Sequence, residues 1–387
     1  MIDGMQLGQG TGPLRGVKVV ELAGIGPGPH ACMILADLGA DVIRIDRPGG
    51  QALTGGAHDL LNRGRPSVAI DLKHPDGVAT VLDLVATADV LVEGLRPGTT
   101  ERLGLGPDVC HERNPRLVYG RMTGWGQTGP LAPTAGHDLG YIAITGALFG
   151  QGQDQARPHF PTNLIGDFGG GSTYLVIGIL AALLESRLSG EGQVVDAAIV
   201  DGTAHLNTMA TGFLAGGLLR EQRASNLLDG GAPFYDLYET ADGQHLAVGA
   251  LEPRFYDALV AGLGIADTVP DRNDPANHPE LRRIIGDAVR SRTQAEWVEV
   301  FAGTDACVAP VLPMTQAFEH PHLVARETFV ARDGMTQPAP APRFSRTSPT
   351  LTTPPPATAG QDTRSALTAW GITGVDRLLE SGAAVQG

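Results

Sequence analysis

The chain has 387 residues, a length at which one hydrophobic core usually stops growing, so two domains are the expectation. Its formal net charge of −14 comes from 42 acidic against 28 basic residues spread along the chain, which argues against non-specific binding to nucleic acid or an anionic membrane and means that an anionic ligand must be met by local arginines. The three cysteines, Cys32, Cys110 and Cys307, form an odd set without C-x-x-C spacing; that argues against a disulfide framework and a zinc site, so no metal is expected and a reducing cytoplasm fits best.

The opening residues, MIDGMQLGQG, lack a basic region followed by an apolar run, so no leader is expected. From residue 17 apolar strand-like runs alternate with helical ones, at 17–22, 30–38, 41–45, 67–72, 77–87, 89–92 and 116–119. This alternation predicts an α/β domain with a parallel sheet covered by helices, continued by a helix at 172–186 and the run 193–200. The longest apolar stretch, 174–184, is too short to span a bilayer and reads as a buried helix. Beyond about residue 210 the pattern changes: β-rich runs at 234–239 and 245–248 meet across Asp242-Gly243, a hairpin signal, and helical text follows at 255–263. A smaller α+β domain is expected there. Residues 337–356 are dense in proline and threonine and predict an extended arm, with short helices at 364–370 and 375–381. The expected division is a large domain over 1–200, a linker over 201–227, a small domain over 228–322, and an arm with C-terminal helices over 323–387.

The first strand runs into Ala23-Gly24-Ile25-Gly26-Pro27-Gly28-Pro29 and then a helix, placing backbone amides and a helix N-terminus where a phosphate could sit. Prolines 27 and 29 remove two amides and no glycine stands at the fingerprint's third position to allow close packing of helix on strand, so the dinucleotide fingerprint is half present and an ordinary tight turn is as good a reading. Asp46 and Arg47 end the second strand. An acidic residue there would hold ribose hydroxyls in a nicotinamide enzyme, whereas Arg47 would meet a ribose phosphate such as that of coenzyme A, with Arg102 as a second cation. For any one arginine, a solvated surface position is the commoner fate.

The most unusual composition lies between Met122 and Ser172, where short polar groups are set in glycine: MTGWGQTGP, AGHDLGY and NLIGDFGGGS. His137 and Asp167 stand out as two opposed bases. An imidazole is the side-chain base best matched to neutral pH, and a carboxyl group in a partly desolvated cleft has its pKa pushed upward, so each can take and give a proton. Proton removal beside a thioester carbonyl leaves an enolate, for which glycine-lined amides beside Asp167 are candidate donors. The competing structural roles are an N-cap or first-turn carboxylate for Asp167, in the helix around Ser172, and a hydrogen-bonded loop histidine for His137. Glu252, before Pro253 at a helix entry, reads either as a first-turn acid complementing the helix dipole or as the carboxylate that fixes the tautomer of His137.

With those residues in view, the chain resembles the α-methylacyl-CoA racemases, a branch of the family III CoA-transferases of the CaiB–BaiF type. The likeness runs through GVKVVELAGIGPGPHACMILADLGADVIRIDRP, RMTGWGQTGP, AGHDLGYIAITG, NLIGDFGGGS, GQVVDAAIVDG, NLLDGGAPFY, TADGQHLAVGALEPRFY and TDACVAPVL. The resemblance implies that Asp167 is the catalytic carboxylate, His137 its partner and Glu252 the support of that histidine. It implies that coenzyme A, as part of the substrate and not as a cofactor, lies against Arg47, the segment Ile70-Asp71-Leu72-Lys73, Arg102 and the loop from Gly136 to Tyr141, with Asn163 and Tyr235 lining the acyl pocket. It further implies a Rossmann-like large domain, a small domain, a C-terminal tail returning to the large domain, and a homodimer of interlocked rings.

Three other functions compete. A CoA-transferase would use Asp167 as a nucleophile and form an acyl anhydride, with no need of His137. A nicotinamide oxidoreductase is suggested only by the glycine loop and Asp46. A non-catalytic binding module leaves the clustered polar residues unexplained.

Overall fold

The computed structural model describes residues 5–50, 56–153 and 155–387. The first four residues of the N-terminal segment, part of the stretch read as carrying no leader, lie outside the described residues. Two compact units form: one from Met1–Thr145, Pro161–Leu206 and Glu327–Gly387, the other from Gly146–Phe160 and Asn207–Arg326.

In the larger unit the expected alternation gives β1 (Lys18–Leu22), α1 (Pro27–Asp37), β2 (Asp41–Asp46), β3 (Ser67–Ile70), α2 (Pro75–Val85), β4 (Val90–Glu93), α3 (Thr99–Arg102), α4 (Pro107–Arg113), β5 (Val118–Thr123) and α5 (Asp138–Ile144). A π-helix (Leu164–Ser172) then runs directly into α6 (Thr173–Ser189), followed by β6 (Val194–Ala198) and α7 (Ile199–Leu206). The sheet order is Ala384–Val385, β3, β2, β1, β4, β5, β6. Strands β1 to β6 pair in parallel, and the short C-terminal strand is antiparallel to β3. The order reverses between β1 and β4, and in such sheets ligands bind outside the carboxyl ends of the strands at that reversal.

Neighbouring strand residues face opposite layers, so both faces are apolar, as a sheet buried on both sides requires. Val20, Ile43, Val68 and Leu91 pack with α2 and with the C-terminal Leu367, Trp370 and Leu378. Val19, Val42, Val90 and Val118 pack with α1 and with Leu175 and Ile179 of α6. Buried charges interrupt this apolar text. Glu21 on β1 is paired by Arg44 at 2.6 Å and Arg65 at 2.8 Å, and Arg121 on β5 bridges Glu93 and Glu101, each at 2.8 Å. The second bridge pins α3 to the carboxyl ends of β4 and β5.

The smaller unit holds a three-stranded antiparallel sheet of Tyr235–Glu239, His245–Gly249 and Val308–Pro310 with helices Pro253–Leu263, His278–Val289 and Gln294–Phe301. The hairpin turns at Asp242-Gly243, where the amide of Thr240 bonds the carbonyl of Gln244. Tyr238, Leu246, Leu259, Ile285 and Trp297 form its core.

Three expectations change. Residues 201–227 are not a plain linker: α7 and α8 (Thr208–Ala215) occupy much of the segment, because apolar residues recur there at helical spacing. The apolar stretch at 174–184 belongs to a continuous helical run, Leu164–Ser189, which by length and composition alone is long and apolar enough to cross a membrane; its Leu175, Val176, Ile179, Ala182 and Leu183 are buried on the sheet. The arm starts later than residue 337, since Met335–Pro338 pairs with Phe329–Arg332 in a hairpin, and residues 339–362 carry no helix or strand.

Candidate active site

The loops that follow the parallel strands collect most of the candidate residues on one edge of the sheet. Arg47 follows β2, Asp71 to Lys73 follow β3, Arg102 ends α3 after β4, and Gly136 and His137 follow β5. Arg47, Lys73 and Arg102 are exposed. The Arg102 guanidinium donates to Thr99 Oγ1 at 3.0 Å, and the Lys73 amide donates to Asp71 Oδ1 at 2.9 Å. Ile70 differs: it is buried in the core at 1% exposure and pairs with Ala384 of the C-terminal strand. Asp46 is also committed within the protein, accepting from Arg44 Nε at 3.1 Å and Ser67 Oγ at 2.6 Å, which removes the acidic residue that a nicotinamide ribose would need.

His137 occupies the N-cap position of α5 with an exposed side chain that makes no cap hydrogen bond. Its loop is set on an aromatic pair: Tyr141 and Trp125 meet edge to face at 4.7 Å, and a Cβ on Gly136 would fall 2.6 Å from the Tyr141 ring. The next residue, Asp138, is buried and its Oδ1 accepts the backbone amide of Asp167 at 2.7 Å. The neighbours of the two candidate bases are thus locked together.

Of the two structural positions open to Asp167, N-cap or first turn, the structure has the first turn, that of the π-helix. The Asp167 amide is taken by Asp138, so that amide is not an oxyanion donor. Its Oδ2 accepts from Asn163 Nδ2 at 3.1 Å. Gly26, with φ of 74°, brings the loop after β1 against the same oxygen, where a Cβ would sit 3.3 Å from Oδ2. Burial raises the Asp167 pKa above its ordinary value; the Asn163 hydrogen bond opposes this, the Asp138 charge adds to it, and the nearby His137 lowers it. Tyr141 faces the same cluster, its phenol pushed upward by burial first and then by Asp167 and Asp138.

The glycines after Asp167 serve packing. A Cβ on Gly202 of α7 would fall 1.8 Å from the Gly170 carbonyl oxygen, so the two helices touch backbone to backbone. Asn163 entered the sequence reading only through the resemblance, and nothing local marked the contacts of Gly26 and Asp138 with Asp167.

Tyr235 and Glu252 belong to the smaller unit. Tyr235 begins a strand and lines a concavity of about 400 Å³ with Leu237, Ala247 and Cys307. Glu252 is exposed at the N-cap position of Pro253–Leu263, where its carbonyl accepts from the amides of Phe255 and Tyr256 and its side chain makes no cap hydrogen bond.

The geometry can be set beside known proteins. The chain is 43% identical over 378 residues to the α-methylacyl-CoA racemase of Mus musculus, covering 95% of this chain and 98% of that protein. It is 42% identical over 338 residues to the α-methylacyl-CoA racemase of Homo sapiens, covering 86% of this chain and 87% of that one. A solved CaiB/BaiF family protein from Brucella suis superposes with a TM-score of 0.78 at 25% identity, covering 93% of this chain and 99% of that chain. Residues 14–363 match CoA-transferase family III, and the chain belongs to that family.

Proposed function

We propose that this protein is an isomerase that interconverts (2R)- and (2S)-2-methylacyl-CoA thioesters, with His137 and Asp167 acting on opposite faces of the α-carbon. One observation carries the proposal: the exposed imidazole of His137 and the half-buried carboxyl group of Asp167 stand together at the carboxyl edge of the parallel sheet, tied by the 2.7 Å hydrogen bond from the Asp167 amide to Asp138 Oδ1. In one direction neutral His137 removes the α-proton while protonated Asp167 supplies one from the other side; in the reverse direction aspartate removes it and imidazolium returns it. The two resting states are tautomers sharing one proton, and neither direction needs a redox or metal step. Burial favours the protonated carboxyl group, which is the form the first direction requires.

The anionic end of coenzyme A is assigned to Arg47, the Ile70-Asp71-Leu72-Lys73 segment, Arg102, and the Gly136 to Tyr141 loop, because these follow the ends of neighbouring parallel strands. Asn163 and Tyr235 are assigned to the acyl pocket, with Asn163 also holding the Asp167 carboxyl group. Glu252 is assigned as the carboxylate that fixes the His137 tautomer within an interlocked homodimer in a reducing cytoplasm.

The experiment is α-proton exchange in heavy water against a panel of branched acyl-CoA thioesters, followed by chiral analysis. Deuterium at the α-carbon with loss of optical purity and no acyl exchange is the expected result. Acyl transfer to a second acid, with hydroxylamine trapping an acyl group on Asp167, would instead make the protein a CoA-transferase.

A further inference from the structure

The π-helix that carries Asp167 meets α1 through His30. The His30 ring stacks on Phe168, with centroids 4.3 Å apart and planes inclined by 30°, and its Nδ1 lies 2.6 Å from Ser172 Oγ. The Ser172 hydroxyl donates to the Phe168 carbonyl at 3.0 Å, so its lone pair is left to accept from the ring, which fixes the Nδ1–H tautomer. That carbonyl also takes the Thr173 amide and, at 2.9 Å, the Thr173 hydroxyl. The residue immediately after Asp167 is therefore held on its ring by the imidazole and on its carbonyl by the hydroxyl that the imidazole orients. π-Helices are rare and are found frequently at functional sites. Burial first, and then the charges of Arg63 and Arg65, keep the His30 pKa below its ordinary value, so the ring is neutral near pH 7 and donates without bringing a positive charge towards Asp167.

We propose that His30 is a positioning residue for proton transfer, fixing the turn that aims Asp167 through Ser172 and the Phe168 carbonyl. This rests on the racemase assignment above. The test compares His30→Leu, His30→Asn, Ser172→Ala and the double variant His30→Leu/Ser172→Ala for kcat and KM of α-deuterium exchange, with melting midpoints alongside. Leucine removes the donor, whereas the asparagine amide can occupy the place of Nδ1.

His30→Leu is expected to lose about tenfold in kcat with KM changed less than about twofold, as a small misplacement of a reacting group does. His30→Asn should recover to within about threefold of the parent, Ser172→Ala should lose as much as His30→Leu, and the double variant should lose no more than either single change. A His30→Leu kcat within about twofold of the parent, equal losses in the leucine and asparagine variants, or a loss confined to KM would overturn the assignment. If His30→Leu does not fold, a parental kcat in Ser172→Ala overturns it instead. Asp167→Asn serves as the control: interconversion of the two epimers retained there sinks the racemase assignment itself, whereas interconversion lost there with the exchange kcat kept in His30→Leu sinks only the role of His30.

Discussion

Asp167 must pass through two protonation states in each catalytic cycle, and its surroundings favour the neutral one more than water does. Burial is the main cause, reinforced by Asp138. Because the folded pKa lies above the unfolded value, the native state holds its proton at a pH where the unfolded chain has lost it, and stability falls as pH rises from the unfolded value of 3.8 through the native one. At neutral pH the carboxylate therefore costs stability. Asp167→Asn keeps an acceptor for Asn163 and removes that cost. The variant is expected to lose interconversion of the epimers yet to melt on the order of a few degrees higher than the parent at pH 7, with the gain fading as pH falls below the unfolded value. Thermal denaturation across pH checks this, and a lower midpoint at pH 7 contradicts it. Sequence reasoning found His137 and Asp167 through residue type and glycine setting, because those are local properties. It did not find Gly26 against Asp167 or Asp138 beneath it, because both contacts join segments distant in the chain.

The contact between the π-helix and α7 decides where the Asp167 turn lies. Gly170 and Gly202 let the two backbones touch, and a methyl group at position 202 has to displace one of them. Gly202→Ala is expected to cost about 1–3 kcal/mol by overpacking and to lower kcat as the Asp167 turn shifts. A melting curve and the exchange assay check both effects, and a parental midpoint would contradict the close contact. In the sequence Gly170, beside Asp167, reads as an amide for a ligand: composition marks a close approach without saying what approaches. The helix expected at 172–186 begins at Leu164, because hydrogen bonds five residues apart do not follow the 3.6-residue period by which helices are recognised.

At the scale of the molecule, the parallel sheet was legible because strands buried on both faces read as short apolar runs between helical ones. Less legible were the buried charges Glu21, Arg44 and Arg65, whose pairing needs three separate segments, and the edge strand Ala384–Val385, which is too short to leave a pattern. That C-terminal tail is part of the larger unit's core: Trp370 is 5% exposed and packs with Leu367 and Leu378, and Lys18 Nζ lies 5.6 Å from its ring centroid. Trp370→Ala is expected to destabilise by about 3–5 kcal/mol, seen as a shift in the denaturant midpoint, while folded protein keeps its exchange rate.

The central claim, two bases on opposite faces of one carbon, is tested most directly by chiral interconversion of (2R)- and (2S)-methylacyl-CoA in His137→Ala and Asp167→Ala, with coenzyme A affinity measured beside it. Both variants should fail to interconvert the epimers while binding coenzyme A nearly as the parent does. Racemisation at the parental rate in His137→Ala would contradict the account.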